Sequence, residues 1–284
     1  MLTIISVKFG SSQWLEKNLA FSQALNPDTT AQWLIVNNDN DSNFRSSQVV
    51  LPAMPRVNHQ DKGSYHHAAA IMSALGLVKT RFLLVLDHDF FILRHDWMNQ
   101  IIEHMMAREL TFFGSVWHPK WTYQYRYFPS VHCFFVDLEK IRLKDLNFMP
   151  DMGGNCLDKI ISHPNLPLPK ALRARLQIGV FRDTGWRIYQ RFKQQPFEGL
   201  IPHLNANPAL FVPERLSLIP TKPNSFTRAS FLSTTSYAYQ NGWEEFFWQT
   251  QPFALHLRLV GRNATHDDIN ELTKILERYR QTIP

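Results

Sequence analysis

The stretch that decides the fold is Thr80-Arg81-Phe82-Leu83-Leu84-Val85-Leu86-Asp87-His88-Asp89-Phe90. Its apolar run from Phe82 to Leu86 ends in two aspartates that are separated by one histidine. A short, unbroken apolar run is typical of a strand that is buried on both faces, as in parallel α/β sheets. Ligands of such sheets bind outside the carboxyl ends of the strands, which is where these acids fall.

Asp87 and Asp89 are close enough to repel each other unless a cation lies between them. Oxygen ligands suit Mg²⁺ or Mn²⁺, and such an ion takes its remaining ligands from water and substrate phosphates. The stretch therefore predicts a metal site for a phosphorylated ligand. A solvated acidic turn after a core strand explains these residues equally well, so the rest of the sequence has to decide.

The composition is that of a folded protein with an anionic partner. Its 284 residues are 44% hydrophobic and 19% charged, which excludes wholesale disorder and allows one large α/β domain. A formal net charge of +6 and a pI near 9.3 favour sugar phosphates, nucleic acid or an acidic membrane surface. Cys133 and Cys156 are too few for a disulfide framework and lack metal-ligand spacing.

No segment of the sequence predicts export or membrane insertion. Met1 leads directly into a strand-like run at residues 2–7, without the basic region or the cleavage site of a signal peptide. No apolar stretch approaches the roughly 20 residues that span a bilayer. We therefore expect a cytoplasmic protein.

A second polar cluster follows another predicted strand. The strand covers residues 32–36 and runs directly into the polar residues 37–43. Asn38 and Asp39 could hydrogen-bond a base or a ribose there, although Asn and Asp are also ordinary turn formers.

A helix of small residues delivers the chain to the acid stretch. Gly63 and Ser64 open it, and it runs to about Val78. Small residues permit close packing on the sheet, and the positive N-terminus of a helix favours an anion. His66 and His67 are adjacent and point to different faces, so we do not expect them to share a metal ion.

The second half of the chain is rich in aromatic and basic residues. Residues 117–128 are dense in aromatic and polar groups, which suits either a sugar site or an apolar core. Residues 170–193 carry seven basic residues against one acid, Asp183. Residues 196–227 are punctuated by proline, which predicts an irregular connection. Thr265 caps a terminal helix that has an apolar stripe and is therefore structural.

Taken in order, these features resemble the family 2-like glycosyltransferases of the GT-A fold. The similarity covers most of the chain, and its most specific part is the Asp-X-Asp pattern after a buried strand. It implies an α/β, GT-A-like fold, with a Rossmann-type, mostly parallel central sheet flanked by helices and a C-terminal extension. We expect a catalytic domain at residues 1–215. Residues 216–284 would be an extension that packs on the same domain and returns His256 to the site.

The resemblance also implies roles for individual residues. In that family the acids bind a divalent metal that holds the donor diphosphate, which assigns Asp87 and Asp89, with Mn²⁺ or Mg²⁺ as the ion. His256 is similar to the histidine that some members add to the metal or the diphosphate. The residues implied in nucleotide-sugar binding are Asn38, Asp39, Asp61, Lys62, Asp87 and His88. Those implied on the acceptor side are Trp117, His118, Trp121 and Tyr123.

The sequence departs from the family at the catalytic base. Many inverting members carry a Glu-Asp pair, which the middle region of this chain lacks, and residues 148–223 match less well. Asp183 and Asp151 remain as candidates for the group that takes the acceptor proton. We favour Asp183, because a Thr-Gly helix start presents it at an edge. Arg182 and Arg187 would keep it ionised, or would make it an ordinary ion-pair member.

The function implied is a metal-dependent, inverting glycosyltransferase with a UDP-, GDP- or dTDP-type donor and a carbohydrate or glycolipid acceptor. Such an enzyme would serve surface-polysaccharide or glycoconjugate synthesis. It would contact the anionic inner face of the membrane peripherally and bind no nucleic acid. Two alternatives are a haloacid-dehalogenase-type phosphatase with Asp87 as nucleophile, and a non-enzymatic nucleic-acid binder that uses residues 170–193.

Overall fold

A computed structural model of the chain describes residues 1–39, 44, 46–52, 62–116, 127–151, 183–203, 229–257 and 265–281. The strands in these ranges are β1 (Leu2–Lys8), β2 (Ala31–Asn37), β3 (Val49–Leu51), β4 (Phe82–Leu86), β5 (Phe90–Ile92), β6 (Phe112–Ser115), β7 (Cys133–Asp137), β8 (Phe197–Pro202), β9 (Glu244–Trp248) and β10 (Gln251–His256). The helices are α1 (Ser12–Leu25), α2 (Lys62–Leu75), α3 (Trp97–Ala107), α4 (Trp186–Phe192), α5 (Tyr237–Gln240) and α6 (His266–Gln281), with a 3₁₀ turn at Leu143–Asp145.

These strands form one sheet in the order β3-β2-β1-β4-β7-β6-β8-β9-β10-β5. The first four strands in that order pair in parallel, and β6 pairs in parallel with β8. The remaining neighbours are antiparallel. The expected α/β class, with a central sheet that contains parallel strands and is flanked by helices, is confirmed. The parallel pairing is concentrated in the N-terminal half.

β4 is buried on both faces, as its apolar run predicted. It lies between β1 and β7, and all of its residues are buried. Phe82, Leu84 and Leu86 face an apolar layer that includes α1, α3 and α6, whereas Leu83 and Val85 face a layer that includes α2 and α4. Each fully buried side chain of this size contributes about 1.5–3 kcal/mol to folding stability. A shift of β4 along the sheet would lose part of this stability, so the core holds the end of β4, and with it the two acids, in place.

β5 places the C-terminal strands β9 and β10 next to the carboxyl end of β4. Only Asp87, His88 and Asp89 separate the two strands, yet the neighbour of β5 in the sheet is β10. β8 and β9 bridge from β6 to β10 and so complete the return. The end of β10 therefore meets the turn formed by Asp87, His88 and Asp89, called the acid turn below. There the Leu257 amide donates to the Asp89 carbonyl oxygen (3.1 Å).

The prediction of an irregular connection over residues 196–227 was wrong for its first part, which is β8. This strand pairs in parallel with β6 from Phe112↔Phe197 to Ser115↔Leu200. Gly199 permits the close approach, since a Cβ there would collide with Cγ1 of Val116. The expected division of the chain after residue 215 falls in residues 204–228, outside the described ranges, and stays a prediction. No helix in the described ranges is long and apolar enough to cross a membrane.

α6 is preceded by Thr265, the cap that the sequence predicted, which is exposed and binds a buried carboxylate. Asp268 is fully buried, and its Oδ2 accepts hydrogen bonds from the Thr265 amide (3.0 Å) and hydroxyl (2.6 Å). The Asp268 amide in turn donates to Oγ1 of Thr265 (3.2 Å), which makes the cap reciprocal. Oδ1 of Asp268 accepts from the Tyr237 hydroxyl (2.8 Å), so one carboxylate both starts α6 and ties it to α5.

Replacing Asp268 with alanine is expected to lower the free energy of unfolding by about 1–3 kcal/mol, because the cap is lost and the Thr265 and Tyr237 donors lose their acceptor. Chemical denaturation followed by circular dichroism measures this loss. Asp267→Ala is the matched control: it removes an exposed acid from the same helix turn and should cost less than about 1 kcal/mol. Equal losses in the two variants would contradict the structural role of the buried Asp268 carboxylate.

Candidate functional site

The two aspartates after β4 lie in one tight turn but differ in burial. The Phe90 amide closes the turn by donating to the Asp87 carbonyl oxygen (3.0 Å). The Asp87 side chain is 17% exposed, and the Asp89 side chain is 10% exposed. Both acids follow the end of β4, as the sequence predicted, and Asp89 is the more buried of the two because the end of β10 lies against it.

His132 meets Asp87 from the neighbouring strand. β7 runs antiparallel to β4 with Leu86 opposite Cys133, so the residue before β7 arrives beside Asp87. Nδ1 of His132 lies 2.6 Å from Oδ2 of Asp87, and the Asp87 amide donates to the His132 carbonyl oxygen (3.0 Å). This histidine was not predicted from the sequence. Only the direction of β7 reveals it, and a single sequence does not supply that direction.

His256 reaches the turn from the end of β10. It is 2% exposed and lies opposite Phe90 in the antiparallel pairing with β5. Its Nδ1 is 2.9 Å from Oε2 of Glu244, and its Nε2 is 3.5 Å from Oδ1 of Asp89. The ring centroid lies 4.5 Å from that of His132. His256 thus lies beside Asp89, and its expected role as a ligand of the metal or the diphosphate stays a prediction. Glu244, its partner on β9, was missed.

α2 contributes a third imidazole. Nε2 of His67 lies 3.5 Å from Oδ1 of Asp87, and its side chain is 26% exposed. His66, the adjacent residue, is buried, and its carbonyl oxygen accepts from Nδ2 of Asn38 (3.4 Å). The two histidines point to different faces of the helix, as predicted, and only His67 faces the acid turn.

The histidines compensate the charge of the buried acids. Burial opposes ionisation of Asp87, but the hydrogen bond and charge of His132 and of nearby imidazoles hold its pKa below the usual range. Burial likewise opposes ionisation of Asp89, whose pKa is nevertheless lowered by the charge of His256. Burial works against the charged form of His256, yet Asp89 and Glu244 raise its pKa to about 10. A proton on His256 thus supplies the positive charge that the acids require.

The same residues fit a divalent metal ion. Asp87, His132 and His256 each offer one ligand atom, and these atoms all lie within 4.8 Å of one another. Ligand atoms on opposite sides of one ion, each bound at about 2.1 Å, are roughly 4.2 Å apart, so small side-chain shifts would suffice. Because Nδ1 of His256 is held by Glu244, its Nε2 is the nitrogen available to an ion.

Asp39 joins the carboxyl ends of β1 and β2. Its two carboxylate oxygens accept from Nζ of Lys8 (2.8 and 2.9 Å), and Oδ2 also accepts from the Gly10 amide (2.9 Å). Lys8 is only 1% exposed, so this pair compensates a buried charge. The structural role of Asp39 is clear from these contacts, and its contact with a base stays a prediction.

Asn38 and His88 present buried acceptor atoms near this edge. Nδ1 of His88 lies 3.1 Å from the Val7 carbonyl oxygen and must donate to it, which leaves the lone pair on Nε2. Nε2 of His88 and Oδ1 of Asn38 are buried and have no hydrogen-bond partner among the described residues. Both atoms are therefore able to accept a hydrogen bond from a ligand.

Asp183 lies in a turn that contacts the start of α2. Its Oδ1 accepts from the Thr184 amide (2.6 Å), and Oγ1 of Thr184 donates to the Ser64 carbonyl oxygen (3.1 Å). Gly185, at φ 81°, starts α4, which agrees with the tight helix start expected there. Arg187 is exposed, and its expected role as a charged neighbour of Asp183 stays a prediction.

Several sequence-predicted residues lie outside the described part of the chain. They are Asp61, the side chain of Lys62, the acceptor-side residues Trp117, His118, Trp121 and Tyr123, and Arg182. Asp151, the other candidate base, is partly exposed at the end of a described range, and the residues that follow it are not described. Its role stays a prediction.

No protein-family model and no curated protein matches this chain. Among solved structures, a mannosyltransferase from Pyrobaculum calidifontis, in complex with GDP-Man and Mn²⁺, matches 49% of this chain and 46% of its own at 12% identity and a TM-score of 0.35. S. aureus TarS 1–349 with UDP matches 52% of this chain and 49% of its own (13% identity, TM-score 0.38).

Mouse xyloside xylosyltransferase 1 matches a larger share, 71% of this chain and 86% of its own, at 9% identity and a TM-score of 0.37. The chain spans less than half the length of the mannosyltransferase and TarS chains. At these TM-scores and identities the likenesses assign neither a family nor an activity to the chain.

In the metal-free protein we expect His256 to remain protonated at neutral pH, because Asp89 and Glu244 raise its pKa to about 10 from an ordinary 6.5. Its contribution to stability should be complete below about pH 6.5 and should be lost as the pH rises through about 10. Imidazole NMR shifts measured in EDTA from pH 5 to 10 would follow the titration, with His256→Gln assigning the resonance. Titration of that resonance below pH 7 would contradict the charge compensation.

Proposed function

We propose that the protein is a metal-dependent glycosyltransferase that moves a sugar from a nucleotide diphosphate to an acceptor hydroxyl. The main support is the convergence of Asp87, His132 and His256 at the carboxyl end of β4. In α/β sheets this edge is where nucleotides bind. A divalent ion held there neutralises the charge that builds on a departing diphosphate.

The donor would bind along this edge of the sheet. His67 faces Asp87 from the first turns of α2 and is exposed enough to donate a hydrogen bond to a phosphate oxygen. The positive N-terminus of α2 adds to this attraction. Nε2 of His88 and Oδ1 of Asn38 would accept hydrogen bonds from the nucleoside. Asp39 would reach the base only with the lone pairs that Lys8 leaves free.

Asp183 is our proposal for the base that takes the acceptor proton. In the described ranges its carboxylate receives one hydrogen bond, from the Thr184 amide to Oδ1, so Oδ2 is open to an attacking hydroxyl. Thr184 ties this turn to Ser64, on the helix that also provides His67. A carboxylate on the acceptor side is what an inverting displacement requires. Asp151 is the second candidate.

The phosphatase alternative is disfavoured by the surroundings of Asp87. A nucleophilic carboxylate needs an oxygen that is free to attack phosphorus. Oδ2 of Asp87 is instead 2.6 Å from Nδ1 of His132, and Oδ1 faces Nε2 of His67. The nucleic-acid alternative depends on residues 170–193, most of which lie outside the described part, and it stays untested.

The finer assignments rest on the sequence resemblance alone. They are a UDP-, GDP- or dTDP-type donor, a carbohydrate or glycolipid acceptor, inversion at the sugar carbon, and a role in surface-polysaccharide or glycoconjugate synthesis. The location proposed is the cytoplasm, with peripheral contact at the inner face of the membrane. The net charge of +6 favours such a contact.

Radiolabelled UDP-, GDP- and dTDP-sugars with Mn²⁺ or Mg²⁺ test the proposal. We expect one donor to release its sugar slowly to water, because a bound donor that lacks an acceptor is still attacked by solvent, and we expect EDTA to stop the reaction. Asp87→Asn should lower this rate at least about 100-fold, whereas the exposed control Asp28→Asn should not. Hydrolysis of a phosphate monoester without donor cleavage would favour the phosphatase instead.

Asp183→Asn separates binding from chemistry once a donor is known, since it keeps the shape of the side chain and removes the proton acceptor. Turnover should fall by on the order of 100-fold while the donor Kd stays within about twofold. Asp151→Asn, measured in parallel, serves as the comparison. Near-normal turnover of Asp183→Asn, together with a large loss in Asp151→Asn, would transfer the role of base to Asp151.

A further inference from the structure

The acid turn is contacted by imidazole nitrogen atoms, which the Asp-X-Asp sequence alone does not supply. His132 contacts one acid, His256 contacts the other, and the two rings lie 4.5 Å apart. We propose that Asp87, His132 and His256 form a two-histidine, one-carboxylate centre that selects transition ions such as Co²⁺ and Zn²⁺ over Mg²⁺. The inference concerns the ion alone and does not rest on the proposed sugar transfer.

The orientation of His256 is set from outside the centre. Oε2 of Glu244 lies 2.9 Å from its Nδ1, and the two residues are direct neighbours across β9 and β10. A carboxylate in this position fixes the tautomer of a metal-binding histidine and raises the basicity of the other ring nitrogen. Nε2 therefore points toward Asp89 and the centre, and burial at 2% exposure prevents the ring from turning to solvent.

His132 is held just as firmly on the other side. Its carbonyl oxygen accepts from the Asp87 amide (3.0 Å), so the backbone of the two residues is locked at the end of the β4–β7 pairing. Nδ1 of His132 and Oδ2 of Asp87 are 2.6 Å apart. Two ligand atoms at right angles around one ion, each bound at about 2.1 Å, are roughly 3.0 Å apart. To bind an ion in place of the shared proton, the two atoms therefore need to separate by only a few tenths of an ångström, while the ring and the carboxylate turn toward the ion.

The chemical type of the ligands determines which divalent ions bind most tightly. Mg²⁺ prefers oxygen ligands and gives up its water reluctantly, whereas imidazole suits Co²⁺, Ni²⁺ and Zn²⁺. Asp87 and Asp89 alone would suit Mg²⁺ or Mn²⁺, as the sequence predicted. Adding His132 and His256 shifts the preference toward ions later in the first transition row, with Mn²⁺ between these ions and Mg²⁺.

A purely structural role for His132 makes a different prediction. If its ring only donates a hydrogen bond that orients Asp87, removing the ring weakens every ion to a similar degree, because all ions share that carboxylate. If the ring is a ligand, its removal weakens Co²⁺ far more than Mg²⁺. The ratio of the two affinities therefore distinguishes the roles, and it does so without an activity assay.

Calorimetric titration of the metal-free full chain with Co²⁺, Mn²⁺ and Mg²⁺ measures this ratio, and Co²⁺ absorption reports nitrogen ligation in the wild type. We expect Co²⁺ to bind at least about 100-fold more tightly than Mg²⁺. His132→Asn keeps a donor near the position of Nδ1 but removes the imidazole. It should weaken Co²⁺ about 10–100-fold and change Mg²⁺ less than about threefold. His266→Ala, in an exposed position at the start of α6, is the control and should change neither.

Circular dichroism and thermal melting of each metal-free variant show whether it is folded. If His132→Asn is unfolded, His132→Gln replaces it. Its amide lies one bond further out, so only a greater loss of Co²⁺ than of Mg²⁺ affinity is expected. Equal losses of Co²⁺ and Mg²⁺ affinity, or a wild-type preference for Mg²⁺, would overturn the inference. A chain that binds Co²⁺ as expected but cleaves no nucleotide sugar would support the centre and contradict only the proposed transferase.

Discussion

The antiparallel pairing of β5 with β10 is the constraint on which the candidate site depends. β5 begins directly after the acid turn, so any strand that pairs with β5 lies next to Asp87 and Asp89. β10 fills that position and places His256 opposite Phe90. The same pairing buries Asp89, and it brings Glu244 on β9 within reach of the imidazole. The pairings of β10 with β5 and β9 thus bring Asp89, His256 and Glu244 together, while the pairing of β7 with β4 adds His132 beside Asp87.

Charge compensation explains how so many ionisable groups are tolerated inside the sheet. An isolated carboxylate buried at this depth would cost several kcal/mol and would be protonated instead. Here each acid faces an imidazole: Asp87 faces His132, and Asp89 and Glu244 both face His256. A metal ion that enters would take over the role of the imidazole protons, so the metal-free and metal-loaded forms keep a similar balance of charge.

The sequence predicted the local elements well because each carries its own signal. The apolar run of β4, the cap of α6 and the acids after β4 were all identified from neighbouring residues. What it missed depends on which strands pair. His132 and Glu244 look like ordinary polar residues next to strands, and only the antiparallel directions of β7 and β9 bring them to the site. β8 was not predicted, because the prolines around it indicated an irregular connection and not a strand that pairs with β6.

The distance along the chain between the two halves of the site has a consequence for synthesis. Asp87 leaves the ribosome long before His256, and the pairing of Ile92 with Ala254 is among the most non-local contacts of the sheet. Contacts of this kind form late, because the entropy of closing the intervening loop must be overcome first. During translation, the edge of β5 therefore stays unpaired until β10 has been synthesised. The three proposed ligands come together only when nearly all of the chain has been made. Binding of the proposed ion would then follow folding, and the ions available to the finished protein would decide which one is bound.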